Sequence, residues 1–237
     1  MDGLVTAVFW LLFAATLPLA FVLGTVLWAV TLPFDPNRRV LHAFICRWSF
    51  AYLRWNPGWD VKVLHRERLP AGPAVLAANH QSMADIIAVM GLFHPFKFVS
   101  KASLFSLPFV GWLMRLAKYV HLERGRVRSM ARMFADCRAW LARGVPVLLF
   151  PEGTYSPDGR LLPFKRGAAT LAIEARVPLV PVVIEGVRSL VVEDGPWLHA
   201  RCRVRVTVLP PIEVAELGSD EVELTERLRR RFEEALR

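Results

Sequence analysis

The sequence predicts an α/β protein: a mixed sheet covered by helices on both faces, preceded by a membrane-embedded helical segment. Three observations carry this. Short apolar runs take turns with longer amphipathic ones from residue 60 onward, as strands and helices do in sheets with both faces covered. No charged residue occurs from Gly3 to Phe34. And 237 residues suffice for one sizeable domain plus an appendage.

The N-terminal run comes first. Its length as a helix would be about 48 Å, against a hydrocarbon core of about 30 Å. It lacks the basic start and the small-residue cleavage site of a signal peptide. Pro18 and Gly24 interrupt it and Pro33 closes it, which fits one tilted, kinked span or a hairpin of two shorter helices. Arg38 and Arg39 follow, then Arg47 and Arg54, and such arginines hold the rest of the chain on the cytoplasmic side. The expected division is therefore a membrane-embedded segment over residues 1–37 and a cytoplasmic domain over residues 38–237.

Val40–Trp55 reads as an amphipathic helix, either interfacial or a core helix of the domain. Strands are expected at Asp60–His65, Ala74–Ala78, Lys97–Ser100, Tyr119–Leu122, Val145–Phe150, Leu179–Ile184 and Arg203–Val208. Helices are expected at Ala84–Leu92, Leu107–Leu116, Val127–Ala142, Gly167–Arg176 and Ser219–Leu236, the last laced with opposite charges. Gly186–Ala200 reads as an irregular insertion. The net charge of +9 falls almost wholly after Phe34. Beside an apolar N-terminus it points to an anionic membrane surface, and no nucleic-acid motif accompanies it. Cys46, Cys137 and Cys202 are odd in number and in no metal-ligand pattern, which suggests buried thiols in a reducing compartment.

Chemistry concentrates at Asn79-His80-Gln81-Ser82-Met83-Ala84-Asp85, between a strand-like and a helix-like stretch. Five residues along one helix turn by about 500°, so on a helix His80 and Asp85 would diverge. With His80 in the turn and Asp85 in the first helical turn, the carboxylate can reach back to the imidazole and orient it as a general base. The plainer alternative is an S-x-x-D cap, with Asp85 satisfying backbone donors and His80 an ordinary loop histidine. A second motif follows the strand at Val145–Phe150: Phe150-Pro151-Glu152-Gly153-Thr154-Tyr155, then Pro163-Phe164-Lys165-Arg166-Gly167. A glycine beside Glu152 lets a ligand approach the backbone, and a helix opening at Lys165–Gly167 favours anions.

N-H-Q-S-x-x-D followed by F-P-E-G-T and P-F-K-R-G resembles the glycerolipid acyltransferase family, whose best-known bacterial members acylate lysophosphatidic acid. The resemblance runs from about Ala74 to Val183. It takes in Ser100-Lys101, Leu107 to Trp112 and Glu123-Arg124, and ends with Val177-Pro178-Leu179-Val180-Pro181-Val182. It implies transfer of a fatty acyl group from a thioester, acyl-CoA or acyl carrier protein, to a lysolipid hydroxyl. His80 would be the base, Asp85 its orienting partner, and Lys101 (or backbone amides) the support for the oxyanion. Arg124, Glu152, Gly153 and Thr154 would hold the acceptor head group, with Lys165 and Arg166 adding charge. The resemblance implies no metal and no cofactor beyond the thioester, and the six histidines lack a paired spacing.

One departure bears on the acceptor. Many members that bind a phosphorylated glycerol read E-G-T-R-S, and here Tyr155 stands at the arginine. A tyrosine hydroxyl cannot grip phosphate as a guanidinium does. Lysophosphatidic acid is the leading acceptor, with a lyso-ornithine lipid or another lysophospholipid as the alternative. A non-catalytic membrane-associated binding protein and a thioester hydrolase are the remaining readings.

Overall fold

The computed structural model describes residues 1–156, 158–191, 195–214 and 220–237. In chain order the elements are α1 (Asp2–Thr31), α2 (Arg39–Arg54), β1 (Trp59–Leu64), β2 (Val75–Ala78), α3 (Asp85–Met90), β3 (Lys97–Lys101), α4 (Val110–Leu116), β4 (Val120–Leu122), α5 (Val127–Ala142), β5 (Val147–Leu149), α6 (Gly167–Ala175), β6 (Leu179–Glu185), β7 (Cys202–Val208) and α7 (Glu221–Ala235). Seven strands join in one sheet, in the order β1-β7-β6-β2-β5-β3-β4. Only the β6–β7 pairing is antiparallel. β2, β3, β4, β5 and β6 therefore end on the same edge of the sheet.

The period-two alternation of strand side chains divides the core. On β2, Leu76 and Ala78 face a layer with Leu41, Phe50, Ala88 and Met90, while Val75 and Ala77 face Trp140, Leu171, Leu224 and Phe232. All four β2 residues are buried, as expected of a parallel strand covered twice. Helices α1 to α4 supply one cover and α5 to α7 the other.

Most boundaries fall within two residues of expectation. Helix α4 starts later, at Val110 instead of Leu107. Pro108 keeps Leu107 extended (ψ 131°), and Phe109 takes φ 59° and ψ −57°, outside the helical region. Helix α7 opens on Asp220, whose carboxylate accepts from the Val222 and Glu223 amides; Ser219 lies outside the described residues. The Gly186–Ala200 insertion carries a short 3-10 turn at Val187–Leu190 and a bridge between Val191 and Leu198; residues 192–194 lie outside the description.

The N-terminal segment is one continuous helix through Pro18 and Gly24, so the two-helix alternative is set aside. It is the one described helix long and apolar enough to cross a membrane. Yet α1 packs on the α/β body across the 37/38 boundary. Phe13 meets Tyr52 at 5.2 Å and Phe21 meets Phe109 at 5.7 Å between ring centroids. Its start is tied down as well: the Asp2 carboxylate accepts from Ala200 N (2.9 Å), Thr6 Oγ1 from Leu198 N (2.9 Å), and Trp10 Nε1 donates to Pro196 O (2.7 Å). The opposite face leaves Leu4, Leu11, Leu19, Val22, Val26 and Val30 exposed. Helix α2 is a core helix: Leu41, Cys46 and Phe50 are buried, with Arg47 and Arg54 on its outer side.

At the far end of the sheet from the C-terminal strand edge lies a buried polar knot. His42 Nδ1 pairs with the Tyr119 hydroxyl (2.7 Å) and Nε2 with His94 O (2.9 Å). Lys97 Nζ donates to Ala117 O (2.6 Å) and sits 4.8 Å from the Trp140 ring centroid. Burial drives His42 down to about 3 and Lys97 down to about 7. Cys46 and Cys137 are buried thiols, as expected, and burial pushes both up to about 12.

Candidate active site

The C-terminal edge of a parallel sheet is where connecting loops can gather side chains from separate strands. Here the sequence motifs meet for that reason. His80 stands two residues past β2, Lys101 ends β3, Arg124 stands two residues past β4, and Phe150 follows β5 directly. Because β2, β5, β3 and β4 are consecutive in the sheet, residues 70 positions apart in the chain become neighbours.

His80 lies in the turn and Asp85 opens α3. Asp85 Oδ2 meets His80 Nδ1 at 2.8 Å and also accepts from the amides of Gln81 (2.5 Å) and Ser82 (2.7 Å). One carboxylate thus both satisfies backbone donors of the turn and contacts the imidazole. Asp85 is fully buried and His80 is 6% exposed. With Nδ1 committed, Nε2 has no hydrogen-bond partner among the described residues. Phe150 stacks on the imidazole at 4.2 Å and Tyr155 meets it edge-on at 6.0 Å, so two aromatic walls fix the ring plane.

The backbone of the turn is clamped from three sides. Asn79 exchanges two hydrogen bonds with Ile184 of β6 (2.9 and 2.7 Å). Ser156 N donates to His80 O (2.9 Å). Glu152 Oε1 accepts from His80 N (2.7 Å) and Oε2 from Leu162 N (2.9 Å). Glu152 is buried, and desolvation raises its pKa against the pull of those two amides. Its carboxylate is therefore turned to the backbone: each oxygen takes one main-chain donor, so Glu152 holds the His80 turn against the Leu162 loop. The sequence signal for Asn79 and Phe150 was their place inside the two motifs, but no role could be read there.

A groove of about 250 Å³ opens beside the imidazole wall, lined among others by Lys101, Arg124, Phe150, Gly153 and Lys165, with Gly167 and Ala168 of the α6 N-terminus at its floor. Gly153 has φ 74°, and a Cβ there would stand 2.7 Å from Lys165 Nζ, so the lysine lies across the glycine because nothing projects from it. Lys101, Arg124 and Lys165 have no carboxylate partner among the described residues, which leaves three cations facing one space. Thr154 and Arg166 are exposed and lie outside this lining. Among the described residues no cluster of His, Cys, Asp and Glu could hold a metal.

The acyltransferase family model matches residues 60–185, which spans every motif above. A 1-acyl-sn-glycerol-3-phosphate acyltransferase of Chlamydomonas reinhardtii is 41% identical over 75% of this chain and 54% of that protein. One from Pseudomonas aeruginosa is 33% identical over 75% of this chain and 69% of its own length. The chain spans about half the length of the algal relative. The crystal structure of the 1-acyl-sn-glycerophosphate acyltransferase PlsC from Thermotoga maritima shares the fold at a TM-score of 0.77 and 24% identity, over 99% of this chain and 94% of that one. A histidine held by a buried carboxylate stacks on Phe150, which also lines a cationic groove, and the family model covers the whole of that site: this chain belongs to the acyltransferase family.

Proposed function

We propose that the chain transfers a fatty acyl group from a thioester to the free hydroxyl of lysophosphatidic acid, forming phosphatidic acid. The observation that carries the reading is the open Nε2 of His80 beside a groove with Lys101, Arg124 and Lys165. The acceptor phosphate binds the cations of the groove, and its hydroxyl gives its proton to Nε2 as the oxygen attacks the thioester carbonyl. Asp85 holds the ring and stabilises the imidazolium that forms. The tetrahedral oxyanion is met by Lys101 or by backbone amides. Collapse breaks the C–S bond, and the thiolate leaves with the proton that His80 received. No acyl-enzyme is required, because the acceptor itself is the nucleophile. An apolar cavity of about 180 Å³ beneath α3, lined by residues including Phe44, Ile87, Met90 and Leu113, offers space for a fatty chain.

The setting is a membrane. The exposed apolar face of α1 rests in the bilayer of the inner membrane, and Arg38, Arg39, Arg47 and Arg54 keep the domain on the cytoplasmic side. The test is release of thiol from an acyl thioester on addition of lysophosphatidic acid, with the product lipid identified. His80→Ala should lower kcat by about 10³-fold while the protein stays folded. Full activity in that variant would remove His80 as the base.

A second reading keeps the chemistry and changes the acceptor to another lysolipid, with Tyr155 as its support. That side chain stands over the imidazole edge where a phosphate-gripping arginine would stand in many relatives of this type. Tyr155→Arg should then raise kcat/KM for lysophosphatidic acid relative to other lysolipids. An unchanged ratio would dismiss this reading.

A further inference from the structure

Beyond the cationic groove, the outer edge of the sheet carries a second basic concavity that the proposed chemistry does not use. Two cavities, of about 640 and 490 Å³, lie beside β4 and share His121 and Glu123 in their linings. Arg115 lines the first; Arg126, Arg128 and Arg132 line the second. Glu123 and Arg126 also line the groove of the candidate site. The three spaces therefore adjoin at shared residues, between the groove of the candidate site and the sheet edge.

The charge in this trough is one-sided. Glu123 is its single carboxylate and is paired with Arg126 at 2.8 Å. Arg115, Arg128 and Arg132 are exposed and have no carboxylate partner among the described residues. Hydroxyls stand among them: Ser103 and Ser106 line the first cavity, and Ser129 the second. Ser129 Oγ accepts from Glu123 N (2.9 Å), which leaves its O–H to donate outward. Planar guanidinium forks and hydroxyl donors around these open depressions suit the phosphates of a nucleotide.

We propose that this trough holds the nucleotide end of a coenzyme A thioester, an assignment that rests on the acyl-transfer reading above. The 3′-phosphate and the diphosphate engage Arg115, Arg128 and Arg132, and the pantetheine arm runs inward past Glu123 and Arg126. In the strand order, β4 stands three places from β2, a span of about 14 Å at ordinary strand spacing. An extended pantetheine arm covers that distance, so a thioester carbonyl reaches His80 while the nucleotide stays at the edge. Arg115, Arg128 and Arg132 are exposed around open depressions, so their guanidinium forks can meet phosphate oxygens without giving up a buried partner.

The test uses the full chain, purified with its lipid or detergent. Calorimetry with 3′,5′-ADP probes the trough without turnover, and kinetics compare acyl-CoA with acyl-pantetheine, which lacks the nucleotide. The double variant Arg128→Ala/Arg132→Ala should weaken 3′,5′-ADP binding at least tenfold. It should also lower the ratio of kcat/KM for acyl-CoA over acyl-pantetheine by about tenfold or more. Rising salt should raise KM for acyl-CoA in the wild type more steeply than in the variant. No binding of 3′,5′-ADP to the wild type, an equal loss on both donors, or turnover confined to acyl carrier protein would each overturn the assignment. Absence of turnover with every donor would instead remove the acyl-transfer reading, and the 3′,5′-ADP measurement would still decide what the trough binds.

Discussion

Glu152 shows how one motif side chain can hold the backbone of another. Its carboxylate joins the His80 turn to the Leu162 loop through two backbone amides, so it sets where the imidazole stands. Glu152→Gln places an amide group against two N–H donors, and one of them must lose its acceptor. The expected cost is about 1–3 kcal/mol of stability. In kinetics kcat should fall while KM for the acceptor stays near its wild-type value; a raised KM with kcat retained would return Glu152 to the head group. The His80–Asp85 pairing was legible in the sequence because both residues fall within one turn, where chain geometry leaves few arrangements. The direction of Glu152 was not, since its partners lie 72 and 10 residues away and nothing local points to them.

At the scale of elements, β3 joins the two ends of the sheet: Lys101 lines the groove, and Lys97, four residues earlier, is buried in the polar knot. Lys97 is held down to about 7 in the fold by desolvation and titrates near 10.5 when free of it. Between those values the unfolded chain binds a proton that the folded chain does not, so stability rises with pH, by about 1.4 kcal/mol per unit from this group. Below about 7 both states are protonated and the cost of burial is constant. Urea unfolding at pH 7 and pH 9 should show the wild type gaining stability relative to Lys97→Met. A constant difference between the two proteins would show that Lys97 does not titrate in this window. The alternation of strands and helices foretold nearly every element here, because period-two and period-3.6 patterns are properties of the local chain. The late start of α4 required knowing that Pro108 holds Leu107 extended while Phe109 adopts a positive φ.

At the scale of the molecule, α1 has two faces with different work. Phe9 is buried among Trp10, Tyr52, Trp55 and Trp59, and Phe9→Ala should destabilise the fold by about 3–5 kcal/mol in a detergent melt. Leu11, Leu19 and Val26 point outward, and changing all three to Ser should lower flotation with anionic vesicles while moving the melting midpoint little. A fall in the midpoint as large as that of Phe9→Ala would mean that this face too is packed in the folded protein. Composition marked the segment as apolar. It did not reveal that Asp2, Thr6 and Trp10 fasten its start to the 196–200 stretch, since those bonds cross more than 180 residues.

The sequence alone established the alternating α/β architecture, the apolar N-terminal helix and the motifs that meet at the site. Each depends on periodicity, charge or spacing within a short stretch, where local geometry constrains the outcome. The tertiary structure decided the rest: which strand ends adjoin, that Glu152 faces backbone, that Thr154 and Arg166 stand outside the groove, and that exposed arginines gather beside it along β4. Those are consequences of the order β2-β5-β3-β4, and strand order is set by how two helical layers bury both faces of one sheet, a condition on the whole chain at once.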